Sequence, residues 1–341
     1  MKIALDAMGG DYAPAVTVEG ALEAVSEIQG LSVVLVGDEV ELANELRGKN
    51  YPVSSIHIKH ASQVVDMGEA PLTALRRKKD SSIKVAIELV KSGEADAMVS
   101  AGNSGVVMAT ALFLLGKLPG VERPAIAAVM PTLKGCFILI DAGANVDCRA
   151  THLLQFAIMG EAYAKSIFNI GSPKIGLLGI GKEDAKGNEL TKEAFKLIKD
   201  SGLNFIGNIE GKDIFLGDAD VVVSDGFVGN IALKISEGLA EAMTKMLKRE
   251  ISEKSTGRIG YLFLKNALKS FKKKTDYSEY GGAPLLGISK PCIISHGRST
   301  AKAIKNALKL ADEFYIKGVQ DIISMGFESR ISGGGKIAVK K

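Results

Sequence analysis

Asn103, Lys186, Asn188, Asn230, His296 and Arg298 all sit in or beside glycine-rich segments. Amide, ammonium, imidazole and guanidinium groups beside pliable backbone are suited to holding an anion while charge develops on a carbonyl oxygen. The glycines fall in four groups, Asp6-Ala7-Met8-Gly9-Gly10-Asp11, Ala101-Gly102-Asn103-Ser104-Gly105, Asp141-Ala142-Gly143-Ala144-Asn145-Val146-Asp147 and Ser224-Asp225-Gly226-Phe227-Val228-Gly229. Val99–Gly105 and Val223–Gly229 share the pattern V-S-x-G-x-x-G, each after an apolar run. Singly, such an Asn is a helix cap and such a Gly a turn residue. Four such turns, three of them carrying an Asp, point instead to a ligand crevice. Its candidate lining is Gly9, Gly10, Asp11, Gly102, Ser104, Gly105, Asn188, Asp225, Gly226 and Gly229. Asn103, Lys186, Asn230 and His296 are the candidate catalytic groups.

Several other chemistries are disfavoured. Gly176-Leu177-Leu178-Gly179-Ile180-Gly181-Lys182-Glu183 has nearly the spacing of a P-loop, but Glu183 stands where Ser or Thr should ligate magnesium. No G-x-G-x-x-G with a following ribose-binding acid comes after the first strand, so the standard dinucleotide fingerprint is missing. G-x-S-x-G and H-E-x-x-H are absent, and 4 His with 3 scattered Cys give no metal pattern, so no metal is expected. Cys136 and Cys148 read as inert. Net charge is only +4 and aromatics are 6%, against a nucleic-acid partner. Asp6 interrupts the first apolar run, and Val106–Leu115 is too short to cross a bilayer. A cytoplasmic protein is expected.

The turns need a frame. Short apolar runs at Lys2–Leu5, Ser32–Val36, Ile56–Lys59, Ala97–Ser100, Ala125–Met130, Cys136–Ile140, Lys174–Leu178 and Asp220–Ser224 read as strands. Pro14–Ile28, Asp38–Leu46, Ser81–Lys91, Ala150–Phe168 and Glu189–Asp200 carry helical periodicity between them. That alternation predicts an α/β protein with a mainly parallel sheet between helices. From Gly229 to Lys274 the pattern is almost wholly helical, with a break at Ser255–Gly257, and it is helical again over Ser299–Phe327. Without a Pro/Ser-rich linker, residues 1–341 read as one two-lobed unit with a helical extension over 229–274. In an open parallel sheet ligands bind beyond the strand carboxyl ends, where helix N-termini favour anions.

The same segments resemble the bacterial phosphate acyltransferases. The likeness rests on Ile3–Asp11, Ser100–Gly105, Asp141–Asp147, Gly187-Asn188-Glu189-Leu190-Thr191, Ser224–Asn230 and Tyr280-Gly281-Gly282-Ala283, and runs from residue 2 to about residue 315. It implies transfer of a fatty acyl group from acyl carrier protein to inorganic phosphate, giving acyl phosphate for phospholipid synthesis. It also implies a fold like isocitrate and isopropylmalate dehydrogenases, a homodimer, no cofactor, and functional roles for Lys186 and Asn230. The rival is a phosphotransacetylase-like enzyme using an acyl-coenzyme A thioester.

Two basic features gain meaning from this resemblance. Arg76-Arg77-Lys78-Lys79 suits docking of an acidic carrier protein, or is a solvated helix face. Over Arg258–Lys274, Phe263, Leu264, Leu268 and Phe271 fall on one helical side and Lys265, Lys269, Lys272 and Lys273 on the other. Such a helix either buries its stripe in a core or dimer interface, or lies on an anionic membrane surface. On the second alternative the protein is peripheral on the inner face of the cell membrane, near a membrane-embedded glycerol-3-phosphate acyltransferase.

Overall fold

A computed structural model describes residues 1–253, 266, 271 and 277–331. The amino-terminal part interleaves β1 (Lys2–Asp6), β2 (Ser32–Gly37), β3 (Ile56–His60) and β4 (Ala97–Ser100) with α1 (Ala15–Glu27), α2 (Glu39–Leu46), α3 (Pro71–Arg77), α4 (Ser82–Ser92) and α5 (Ser104–Leu114). A hairpin of β5 (Ala125–Thr132) and β6 (Gly135–Ile140) then leads into α6 (Ala150–Phe168), β7 (Ile175–Gly179), α7 (Glu189–Lys199), β8 (Phe205–Glu210), β9 (Val221–Val223) and α8 (Gly226–Glu253). The chain returns through β10 (Ala283–Leu286), β11 (Cys292–Ile294), α9 (Ala301–Ile316) and α10 (Val319–Ile331).

Eleven strands form one sheet in the order β3-β2-β1-β4-β11-β10-β5-β6-β9-β7-β8. Helices cover both faces. Ile3 and Leu5 of β1 pack with α1 and α9, whereas Ala4 between them packs with α4 and α5. Ile138 and Ile140 of β6 join α6 and α10, whereas Phe137 and Leu139 face the side on which Ala232 and Leu233 of α8 pack. A strand buried on both faces needs continuous apolar sequence, which is why these runs are rich in Val, Ile and Leu. The expected layered α/β fold is borne out.

All eight expected strands form, with ends shifted by at most a few residues. Strands β8, β10 and β11 form in addition to them. Short strands flanked or interrupted by proline, as β10 is at Pro284 and β11 after Pro291, carry little periodic signal. The expected helix over Ser299–Phe327 is split at Lys317–Gly318, where Gly318 takes a φ of 58° and the chain turns. α8 begins at Gly226, three residues before the expected start, because the Asp225 carboxylate caps it by accepting from Val228 N–H at 2.9 Å. Of the amphipathic stretch 258–274, Phe263, Leu264 and Leu268 lie outside the described residues, as does the break at Ser255–Gly257. Asn266 and Phe271 are helical and exposed.

The sheet consists of two parallel blocks, β3-β2-β1-β4-β11 and β6-β9-β7-β8, spliced by antiparallel pairing of β11 with β10, β10 with β5 and β5 with β6. The two blocks run in opposite directions. Their registers nevertheless converge. Ile294 pairs with Ala283; Leu285, two residues along β10, pairs with Ile126; Ala127, the next residue of β5, pairs with Ile140. The carboxyl ends of β11 and β6 therefore lie one rung apart, about 3.3 Å along the strands. Ser100 and Asp6 share the rung of Ile294, and Val223 shares that of Ile140. Turns leaving the two blocks thus start from a common level.

Packing of α1 on α9 depends on Gly20, where a Cβ would fall 2.6 Å from both the Ala301 carbonyl oxygen and Ile304 Cβ. Gly20→Val should destabilise the protein by about 1–3 kcal/mol through overpacking. Urea unfolding would register this as a lower midpoint at unchanged slope.

Candidate active site

The first block contributes three interlocked turns. Asp6, fully buried at the end of β1, accepts from Ser100 Oγ–H at 2.6 Å, and Ser100 Oγ in turn accepts from Gly102 N–H at 3.0 Å. Burial pushes the Asp6 carboxyl up from its ordinary pKa, against hydrogen bonds from Ser100 and Ser82. The glycines are required by proximity: a Cβ on Gly9 would meet Asp6 Oδ2 at 2.3 Å and Gly102 N at 2.7 Å. Asp11 N–H donates to the Gly297 carbonyl at 2.7 Å, which ties this turn to the one holding His296.

Asn103 caps α5, its Oδ1 accepting from Val106 N–H at 3.1 Å. Its Nδ2 donates to the carbonyls of Met67 at 2.9 Å and Glu69 at 3.0 Å. Both amide protons are engaged, so this side chain ties down the 66–69 segment. That segment approaches the third turn, since a Cβ on Gly297 would touch Met67 Cε at 2.9 Å. Gly105 lies in the first turn of α5, directly under Pro71.

The second block is organised by Asp141, fully buried after β6. Its Oδ1 accepts from the N–H groups of Ile126 at 3.0 Å, Gly143 at 3.1 Å and Ala144 at 2.9 Å. Oδ2 accepts from the Asn145 N–H at 2.7 Å and from Asn145 Nδ2 at 2.8 Å. Burial pushes this carboxyl up, while Ala144, Asn145 and Ile126 pull it down. All five partners are donors, so the ionised form is the one the turn is built around. The turn locks onto the start of α8: Gly226 N–H donates to the Asn145 carbonyl at 2.7 Å, and the Asn230 side chain lies against Gly143.

Asn230 is exposed in the first turn and a half of α8, and its amide has no protein hydrogen bond among the described residues. Lys186 is exposed in the loop between β7 and α7, likewise without an ion pair among them. β6, β9 and β7 are adjacent and parallel, so the Asp141 turn, the start of α8 and the Lys186 loop emerge from one edge. Asn208 Nδ2 anchors that loop by donating to the Glu183 carbonyl at 3.0 Å, and Asn188 Oδ1 caps α7 through Thr191 N–H at 2.9 Å.

Contact between the blocks comes through α8. Lys234 Nζ lies 3.3 Å from His296 Nε2, linking the helix that carries Asn230 to the turn after β11. The structure thus joins Asn103, His296 and Asn230 in one chain of neighbours and sets Lys186 on the Asn230 edge. Lys234 was not among the residues expected from sequence; its spacing of four from Asn230 on a helix was the available signal. Nor was the buried pair Asp6 and Ser100 beneath the first glycines. In the basic run, Arg76, Arg77 and Lys79 are exposed, but Lys78 pairs with Glu69 and Asp66. Among the described residues no group of His, Cys, Asp or Glu is arranged to hold a metal.

A model of fatty acid synthesis proteins matches residues 1–322. The chain is 61% identical over 324 residues to the phosphate acyltransferase of Thermodesulfovibrio yellowstonii, covering 95% of this chain and 93% of that one. It is 53% identical to the phosphate acyltransferase of Geobacter sulfurreducens, over 97% of this chain and 96% of that one. This chain belongs to the phosphate acyltransferase family. As a phosphate acyltransferase it is an acyl-transferring enzyme of lipid biosynthesis. Among solved structures it shares its fold with the phosphotransacetylase EutD of Staphylococcus aureus (TM-score 0.60, 17% identity, 92% of this chain and 94% of that one). A phosphotransacetylase of Streptococcus pyogenes matches similarly (TM-score 0.59, 21% identity, 96% and 94%).

Gly229 tests whether acyltransferase activity depends on the fit of these turns. A Cβ there would lie 1.9 Å from the Asp141 carbonyl oxygen, so Gly229→Ala must shift Asn230. Misplacement on this scale should lower kcat/KM about a hundredfold, measured on protein whose circular dichroism is unchanged.

Proposed function

We propose that this enzyme transfers a fatty acyl group from the thioester of acyl carrier protein to inorganic phosphate, giving acyl phosphate for phospholipid synthesis. A phosphate oxygen attacks the thioester carbonyl, a C–O bond forms, the C–S bond breaks, and the thiolate departs. Asn230 carries this reading. Its amide, without a hydrogen bond among the described residues, stands at the start of α8, where the helix dipole favours negative charge, beside the edge bearing the exposed ammonium of Lys186. Lys186 and Asn230 hold the phosphate and the developing oxyanion, and the glycine turns complete the cradle. Asn103 acts by positioning, since its donors hold the 66–69 segment.

Direct transfer suits the thiols present. Burial and the nearby charge of Asp141 push Cys148 up to about 11, and burial alone pushes Cys292 up to about 12. Burial also raises Cys136. Thiols so protonated at neutral pH are poor nucleophiles. A thioester is already activated, so positioning and charge stabilisation are what the protein must supply.

The deciding experiment is mass detection of acyl phosphate from phosphate with acyl carrier protein thioester or with acyl-coenzyme A. Faster turnover of the carrier thioester is expected; the reverse preference would favour the phosphotransacetylase-like reaction. Lys186→Ala and Asn230→Ala should each lower kcat by about 10²–10³. Replacing all three cysteines by Ala should leave most activity, and no acyl-enzyme should accumulate.

The proposal includes a homodimer and reversible attachment to the inner membrane surface. Supporting the first, α8 exposes Val228, Ile231, Ile235, Leu239, Met243 and Met246 in a stripe at helical spacing. Supporting the second, Phe271 is helical and exposed within the basic amphipathic stretch 258–274. No helix among the described residues is long and apolar enough to cross a membrane. Flotation with anionic liposomes should carry the wild type at low salt and release it at high salt. Leu264→Glu with Leu268→Glu should abolish binding; unaltered binding would place attachment elsewhere. Arg76, Arg77 and Lys79 remain the proposed docking cations for the acidic carrier.

A further inference from the structure

Lys186 lies in the loop that leaves β7 after Gly179 and reaches α7 at Glu189. Apart from Gly179, Gly181 and Gly187, every residue between Gly179 and Glu189 is exposed. A loop with so little buried surface takes its position from hydrogen bonds rather than from packing. The Glu183 carbonyl accepts from the Lys186 N–H at 2.9 Å, which closes a four-residue turn. The same carbonyl accepts from Asn208 Nδ2 at 3.0 Å, which fastens that turn to β8, the last strand of the sheet. Gly181 lies under the lysine stem, since a Cβ on it would meet Lys186 Cγ at 3.0 Å.

Two ion pairs also reach this loop, Lys182 with Asp213 at 2.8 Å and Lys199 with Asp184 at 3.4 Å. Both use exposed lysines, and such pairs contribute little in water. Asn208 is different because it is buried, opposite Leu177 of β7. Its amide lies beside Gly179, where the loop departs, and reaches forward to Glu183. Burying an amide costs free energy unless it is hydrogen-bonded, and an aliphatic residue would satisfy the strand itself. The amide proton that β8 does not need is spent on the carbonyl that also receives Lys186 N–H.

We propose that Asn208 is a positioning residue for acyl transfer, fixing through the Glu183 carbonyl the turn that carries Lys186. Asn208 touches no substrate; it sets where the ammonium stands. Displacing that turn by about 1 Å would carry the lysine stem with it and misalign the charge. The assignment rests on Lys186 holding the phosphate and the developing oxyanion, as proposed above.

The test uses Asn208→Leu, which keeps the volume and removes the donor, and Asn208→Ala, which removes it without overpacking. Each is made in wild-type and in Lys186→Ala full-length protein, with circular dichroism confirming the fold. In the wild-type background kcat for acyl phosphate formation should fall about tenfold, the upper worth of one neutral hydrogen bond. In the Lys186→Ala background neither substitution should lower kcat further, as expected of residues acting through one group. Trypsin should also cut after Lys186 correspondingly faster in the Asn208 variants, because cleavage follows opening of the loop; fragment masses identify the cut. Unchanged kcat in folded Asn208 variants would overturn the assignment, whatever the cleavage rate. So would an equal loss in both backgrounds, which would mean that Asn208 acts through something other than Lys186. If Lys186→Ala alone keeps full activity, the role proposed for Lys186 fails and the assignment falls with it. That outcome is distinct, because the first two leave the lysine variant impaired.

Discussion

Parallel strands deliver their turns to one edge only, so a site drawn from two parallel blocks requires those edges to meet. Here the antiparallel splice through β10 and β5 sets the meeting. Because β10 shares only two rungs with β5, the blocks are staggered along the strand direction rather than laid side by side. Their carboxyl ends come within one rung although the blocks run in opposite directions. Helix α8 then spans the junction and brings Lys234 to His296. Lengthening the β10–β5 overlap would separate the two sets of glycine turns without altering either block's core.

Each set of turns is folded around a buried carboxyl group. Asp141 collects five donors and thereby dictates the path from Ala142 to Asn145, on which α8 is seated. Asp6 reaches Gly102 through Ser100. Burying such groups is costly unless they are hydrogen-bonded, and here the result is shape: backbone turns held so tightly that several positions admit no Cβ. The proposed reactive face is built the opposite way. Lys186 and Asn230, the proposed ligand-holding residues, are exposed, and their side chains make no hydrogen bond among the described residues.

This division suits the proposed transfer from a thioester to phosphate, in which the substrates are already reactive. A thioester needs no enzyme nucleophile, and an anionic acceptor needs little general base. What remains is to fix two reactants and stabilise charge, which rigid turns and free donors do better than an activated thiol. The raised thiols of Cys136, Cys148 and Cys292 are consistent with packing roles.

Much of this was legible in residue order. Apolar runs of four to six residues alternating with helical periodicity determined the α/β class, and glycines after strands marked the candidate ligand edge. Those signals are local, set by backbone sterics and one-dimensional burial patterns. The resemblance to phosphate acyltransferase motifs marked Lys186 and Asn230 as candidates in the same way. Other features were decided by the tertiary structure. In sequence Asn103 is suited both to capping a helix and to binding an anion, and only its distance to Met67 and Glu69 shows where its amide protons go. Short β10 and β11 carry no readable period, yet they splice the sheet. Lys234 is an ordinary helical lysine until α8 crosses to His296, 62 residues away in sequence. Contacts between distant segments depend on strand register and helix direction, and neither is encoded within a window short enough to read along the chain.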